Sequence, residues 1–340
     1  MISEWLKLGL PDGNELEFLQ EWFGSRNQVS TILNPFLNPI REYLGRPAKH
    51  ARAQLVLASF EMVKRGKEPS PFEKSLLRAL AIWVEILHAG SLIVDDIQDA
   101  STNRREGPAL HELIGTASSI NSANWLYFWP ADSFSRLSPP VEMELSLYRA
   151  YHQMMSRAHL GQALDLDYNM TEVTREIAHS VSMAAVNLKT GELMAMSCEF
   201  GSIVSTADLS DHQALVEFGR SFGVALQMFN DLSEVIKMSV SPQSRVPQSR
   251  VPLIRPSWVW QVASEILSDS EFQQFQTLMK STGDWGDQFQ IDSHPVILTA
   301  RLRARDYMQS CIGSVRNHFH SSVALAPIEK LAEKVIHAYR

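Results

Sequence analysis

The sequence predicts an all-α protein, and three observations carry that expectation. Apolar residues recur at three- and four-residue spacings over ten segments, no segment sustains the alternation of a half-buried strand, and proline, glycine and serine gather between the periodic segments. In order, the expected helices cover 50–65, 71–99, 109–128, 141–168, 172–201, 211–239, 257–268, 271–281, 295–318 and 326–339. Their connections hold the breakers: Gly66 to Pro71, Asn103 to Pro108, Pro130 to Pro140, and a proline- and serine-rich stretch at 242–256 in which PQSRV is written twice in tandem. Ser70 before Pro71, with Glu73 three residues after the serine, is a helix-start signature, and Asp208 to Ser210 precede another amphipathic run. No repeat of domain size appears. Residues 1–340 therefore read as one domain, with core motifs over 45–260, a loop at 240–256 and C-terminal helices over 257–340.

Composition suits a globular enzyme, with 45% hydrophobic and 20% charged residues. A net charge of −7 gives no general attraction for nucleic acid or anionic lipid, so basic groups must act locally. The two cysteines, Cys198 and Cys311, have no metal or redox spacing and suit a reducing compartment. The N-terminal MISEWLKLGLPDGNELEF has acidic residues where a secretory signal requires an apolar core. Apolar runs fall short of the roughly 20 residues that cross a bilayer. A soluble, cytoplasmic chain without a transmembrane segment is expected.

The chemistry concentrates in HAGSLIVDDIQDASTNRREG, residues 88–107. On a helix Asp95 and Asp99 rise from one face, with Cβ atoms roughly 5–6 Å apart. Two such carboxylates repel each other unless a cation sits between them. Magnesium suits the position, because it prefers oxygen ligands and commonly binds through one or two carboxylates plus substrate phosphates. Arg104 and Arg105 follow, and the guanidinium fork fits phosphate oxygens. Taken alone, the run could equally be a solvated acidic helix end before a basic loop. Its flank, WVEILHAGSLIV, is apolar, and surface charge runs do not usually grow out of core helices.

HAGSLIVDDIQD, RREGPALH and INSANWLYF together resemble the first aspartate-rich region of the trans-isoprenyl diphosphate synthases, closest to the geranylgeranyl type. Further segments follow in that family's order over about 45–260: AKHARAQLVL (48–57), HLGQALDL (159–166), Lys189-Thr190-Gly191 and LQMFNDLSE (226–234). The resemblance implies the isoprenoid synthase fold, a bundle of mostly antiparallel helices around a central cavity, a Mg2+ cofactor and a homodimer. It implies that Lys49, Arg52, His88 and Arg105 bind isopentenyl diphosphate, and that Arg104 and Lys189 bind the allylic diphosphate. Thr190 would lie beside the ionising carbon, Gln162 and Asp165 would carry the family's GQxxD helix, and Gln227 would line the substrate site. The metal positions would be Asp95, Asp96, Asp99, Asn230, Asp231 and Glu234, with metal bridged between Asp95, Asp99 and Asp231. The activity implied is a prenyl transfer in which loss of diphosphate yields an allylic cation that the isopentenyl double bond attacks.

Two departures stand out. The second motif reads Asn230-Asp231-Leu232-Ser233-Glu234 where the family has Asp-Asp-x-x-Asp, and Leu226 replaces the usual phenylalanine. Asparagine offers a carbonyl oxygen without charge, so weaker metal binding is expected there. The following loop lacks the family's Gly-Lys, and Arg245, Arg250 or Arg255 could supply that charge. Gly90 and Ser91 are small where short-chain synthases often carry an aromatic, with Trp125 as a deeper floor, so a C20 product is expected and C25 remains open. A terpene cyclase on the same fold and a regulatory subunit of a heteromeric synthase are the alternatives.

Overall fold

The computed structural model describes residues 10–11, 16, 19–240, 254–280, 293–320 and 323–338. The described residues are helical almost throughout, and the chain divides into two compact units: residues 1–57 with 68–144, and residues 58–67 with 145–340.

The first unit holds α1 (Gln20–Phe23), α2 (Arg26–Leu44), the start of α3 (Ala51–Lys64), α4 (Pro71–Gln98), a hairpin of β1 (Asn103–Arg104) and β2 (Gly107–Pro108), α5 (Leu110–Ile114) and α6 (Thr116–Ser135). The start of α4 behaves as the sequence anticipates: the Glu73 N–H donates to Ser70 Oγ, and the Ser70 N–H donates to Glu73 Oε2. Ile86, Ala89 and Ile93 on α4 pack with Ala123, Leu126 and Trp129 of α6 and with Ile40, Tyr43 and Leu44 of α2. By length and composition α4 could cross a membrane, against the expectation from apolar runs, but 61% of its most apolar window is buried within the protein. That is the profile of a core helix.

One helix and one proline need correction. α2 is not among the expected helices, and it runs through both Pro35 and Pro39. A Ser25–Gln28 capping box starts it, and Val29, Leu33, Phe36, Ile40 and Tyr43 recur at helical spacing into the core, outweighing the lost backbone bonds. Pro130 likewise does not end α6, because the stacked rings of Trp125 and Trp129, 5.3 Å apart, anchor that turn against Phe36. The expected helix over 109–128 is instead split at Gly115, whose φ of 79° continues no right-handed helix.

The second unit holds most of α7 (Val141–Asp167), then α8 (Arg175–Val186), a π-helical turn (Asn187–Gly191), α9 (Glu192–Val204), α10 (Leu209–Val240), α11 (Trp258–Ile266), α12 (Asp269–Lys280), α13 (Pro295–His318) and α14 (Ala326–Ala338). α10 packs against both α9 and α13, and α8 against α11. Most of the tandem PQSRV loop, with Arg245 and Arg250, lies outside the described residues.

Candidate active site

In the first unit the functional side chains cluster on the last turns of α4, the start of α3 and the hairpin. Glu85, buried within the apolar run of α4, organises the start of α3. Its Oε1 accepts the Ala53 N–H at 3.1 Å, one of the amides a helix start leaves without an intrahelical partner, and its Oε2 lies 3.2 Å from His50 Nδ1. Burial pushes the Glu85 carboxyl up, but the His50 hydrogen bond, the Arg52 charge and the Ala53 amide outweigh it and hold it below the usual range. Arg52 is lowered to about 10 by burial, partly offset by Glu85. Its Nε is buried and has no hydrogen-bond partner among the described residues. His88 sits well below its ordinary value, through burial and then through Arg52, Arg105 and Arg104, so it is neutral. Lys49 lies exposed just ahead of α3. Arg105 is thus close enough to lower both Arg52 and His88, and Arg52 close enough to lower His88.

The aspartate run divides by face. Asp95 and Asp99 are partly exposed, one helical turn apart. Asp96 is completely buried, and Arg104 donates to its Oδ1 through Nε at 2.7 Å and through Nη2. Asp96, expected among the metal positions, anchors Arg104 here: adjacent helical positions point about 100° apart, and this one continues the buried stripe. Burial raises the Asp96 carboxyl, against the pull of Arg104.

The chain-length expectation also changes. A Cβ on Gly90 would lie 3.0 Å from the Ala123 carbonyl oxygen and 3.2 Å from Leu126 Cβ, so Gly90 marks the α4–α6 contact and opens onto no cavity. Trp125 is partly buried, packed against the core with its ring in contact with those of Phe36 and Trp129. Ser91 remains half-exposed on the His88 face, its hydroxyl donating to the His88 carbonyl at 2.8 Å.

In the second unit Lys189 and Thr190 sit on the π-helical turn, a geometry that recurs at functional sites. Gly161 of α7 makes room for it, since a Cβ there would stand 2.5 Å from the Lys189 nitrogen. Lys189 Nζ donates to Asp165 Oδ2 at 2.9 Å, and Arg255 Nη1 reaches the same oxygen at 3.4 Å. Arg255 thus joins the lysine, which the sequence allowed without singling it out. Thr190 Oγ1 donates to Gln227 Oε1, Gln227 Nε2 donates to Asp231 Oδ1, and the Trp258 N–H at the start of α11 donates to Asp231 Oδ2, at 2.9, 2.7 and 2.7 Å.

Asp231, expected as the bridging metal ligand, is consequently buried with both oxygens engaged by protein. Its carboxyl is pushed up to about 8, chiefly by burial and then by Glu234, against the Trp258 and Gln227 hydrogen bonds. The exposed positions of this motif are Asn230 and Glu234, one turn apart. Among the described residues no three His, Cys, Asp or Glu side chains converge on a metal position. Asp95 with Asp99 still fits a magnesium ion that draws its remaining ligands from substrate phosphates and water. The second motif fits less well, having one open carboxylate.

A polyprenyl synthetase family profile matches residues 34–241. The chain belongs to the polyprenyl synthetase family. A geranylgeranyl pyrophosphate synthase of Penicillium canescens is 31% identical over 195 residues, 57% of this chain and 53% of that protein. A geranylgeranyl diphosphate synthase of Methanosarcina mazei is 30% identical over 162 residues, 48% and 49% of the two chains. The chain spans about half the length of the curated relatives it matches. The fold is similar to that of a geranylgeranyl pyrophosphate synthetase from Pyrococcus horikoshii, with a TM-score of 0.69, 22% identity and coverage of 88% and 89%. The isoprenoid synthase fold expected from the polyprenyl synthetase motifs is therefore the fold of this chain.

Proposed function

We propose that this polyprenyl synthetase is a trans-prenyltransferase that condenses isopentenyl diphosphate with an allylic diphosphate, yielding a C20 geranylgeranyl product, with C25 as the next length. The observation that carries the reading is the cluster of Arg52, neutral His88 and Arg105, in which a buried guanidinium N–H of Arg52 awaits an acceptor. An enzyme that only ionises one allylic diphosphate has no use for this group beside the separate cations Lys189 and Arg255.

In this reading Lys49, Arg52, His88 and Arg105 bind the isopentenyl diphosphate, and its positioning supplies much of the rate. Lys189 and Arg255, already paired with Asp165, bind the allylic diphosphate and stabilise charge developing on the leaving group. Arg104, fixed on Asp96, contributes from the first motif. Thr190 is held by Gln227 beside the ionising carbon. Asp95 and Asp99 in the first unit, and separately Glu234 with the Asn230 side-chain carbonyl in the second, are the residues that would hold magnesium. Bound there, the metal would neutralise charge on the departing diphosphate. Residues 1–340 act as one synthase domain, cytoplasmic and homodimeric.

Asn230 favours a second reading, a cyclase or a weak partner subunit, because it leaves the second motif short of a carboxylate. One assay separates the readings. The protein is incubated with magnesium, farnesyl diphosphate and labelled isopentenyl diphosphate, and extracted before and after phosphatase. Label extractable only after phosphatase is the expected result. Hydrocarbon formed without isopentenyl diphosphate would indicate the cyclase, and no product the subunit.

A further inference from the structure

The turn that presents Arg104 and Arg105 is held by a residue outside every motif described above. β1 and β2 pair Asn103 with Pro108 and Arg104 with Gly107, which leaves a two-residue loop, Arg105-Glu106. Both loop residues have positive φ, 49° and 62°, as a type I′ hairpin requires. Such turns favour Asn-Gly, and residues with long side chains adopt this backbone unfavourably. A hairpin of two-residue strands cannot by itself enforce it.

Arg46, just beyond α2 and only 6% exposed, supplies the constraint. Its Nη1 donates to the Arg104 carbonyl at 2.9 Å and to the Pro108 carbonyl at 2.8 Å, spanning the base of the turn. Its Nε and Nη2 donate to the two carboxylate oxygens of Glu42 at 3.1 and 2.9 Å, and the guanidinium lies 5.1 Å from the Tyr43 ring centroid. The fork is thus fixed on α2 on one side and on the turn backbone on the other. Gly107 belongs to the same arrangement, because a Cβ there would stand 2.8 Å from Arg46 Cζ. Arg104 and Arg105 are adjacent in sequence yet engaged differently: Arg104, on the strand, is hydrogen-bonded to Asp96, while Arg105, in the turn, places its charge near both Arg52 and His88. That divergence depends on the backbone conformation Arg46 holds.

We propose that Arg46 is a positioning residue for substrate binding: by clamping the Arg104 and Pro108 carbonyls it aims Arg105 into the Arg52–His88 cluster and so sets the affinity for isopentenyl diphosphate. The assignment rests on the prenyltransferase reading above. The test measures KM and kcat for isopentenyl diphosphate in the full-length wild type, Arg46→Ala, Arg46→Lys, Glu42→Gln and Arg105→Ala, with thermal melts of each.

Arg46→Ala raises KM for isopentenyl diphosphate by about tenfold or more, as a displaced positioning group does, with a smaller change in kcat. Millimolar guanidinium restores much of the loss. Arg46→Lys is not rescued by its own charge, having no fork. Glu42 is 58% exposed, so Glu42→Gln keeps the melting temperature of the wild type while raising KM more modestly. The proposal is overturned if Arg105→Ala raises KM while Arg46→Ala and Glu42→Gln leave it unchanged. It is also overturned if Arg46→Ala raises KM while lowering kcat and melting temperature to a similar degree, with no response to guanidinium. A wild type that forms no condensation product removes the prenyltransferase reading itself, an outcome distinct from either.

Discussion

Gly90 gives the sharpest test of how the structure revises the sequence reading. The family resemblance makes Gly90 a chain-length position where an aromatic would shorten the product, whereas the packing makes it a helix-contact residue. An added Cβ at 3.0 Å from the Ala123 carbonyl and 3.2 Å from both Leu126 Cβ and Tyr127 Cε1 is tighter than an ordinary contact on three sides, and all three neighbours are backbone or buried side chain of α6. Alanine gains about 0.8–1 kcal/mol of helix propensity over glycine, while overpacking a tight contact costs roughly 1–3 kcal/mol. Gly90→Ala is therefore expected to be destabilised by about 0–2 kcal/mol, a fall of up to several degrees in melting temperature. Gly90→Phe drives a whole ring into the same contact and should fail to fold. Ser91→Phe, half-exposed on the His88 face, should fold and shorten the product to C15. Thermal melts and chain-length determination of the dephosphorylated product check all three. A Gly90→Phe protein that melts like wild type and yields a shortened product would refute the packing argument.

Asn230→Asp restores the outward carboxylate of the second motif, so activity at limiting magnesium should rise severalfold; an unchanged magnesium dependence would refute weak metal binding there. Gly161→Ala places a Cβ 2.5 Å from the Lys189 nitrogen and should lower kcat by at least about tenfold even in soluble protein, read by steady-state assay with the allylic substrate. Glu85 has a folded pKa below its unfolded value, so its contribution to stability is complete above the unfolded value of 4.5 and is lost as pH falls through the folded one. Denaturant melts of wild type and Glu85→Gln should accordingly differ by a constant amount above about pH 5.5 and converge as pH drops below 4.5; a gap that widens on acidification would refute the linkage.

Much of the helical framework was legible because the signals were local. The Ser70–Glu73 capping box and the periodicity of α4, α7 and α13 specify their ends within a few residues. α2 carries two prolines, a strong local signal against helix, and its capping box together with the tertiary contacts of Ile40, Tyr43 and Leu44 outweighs them. The Arg46 clamp was not legible at all. Its partners are backbone carbonyls some sixty residues away, and a carbonyl leaves no mark in the amino-acid code. Glu85 did leave one: a single acid within WVEILH, three residues before His88, is a buried charge that must find a partner, and it finds His50 and the start of α3.

The two aspartate motifs share one arrangement, and it bears on why the second one diverges where it does. In each, the second residue of the adjacent pair continues a buried stripe: Ile86, Ala89, Ile93 and Asp96 on α4, and Val224, Met228, Asp231 and Val235 on α10. A carboxylate at such a position draws its partners from the protein: Asp96 takes Arg104 on Oδ1, with Oδ2 buried and without a hydrogen-bond partner among the described residues, and Asp231 takes Gln227 and the Trp258 amide on its two oxygens. The first residue of each pair, Asp95 or Asn230, is the one left facing outward. Replacing Asp231 would strip the start of α11 of a hydrogen-bond acceptor, whereas the asparagine at 230 touches none of these internal contacts. The divergence therefore fell on the member of the pair whose loss the fold tolerates, so its cost is confined to the metal-facing side, where Asn230→Asp can measure it.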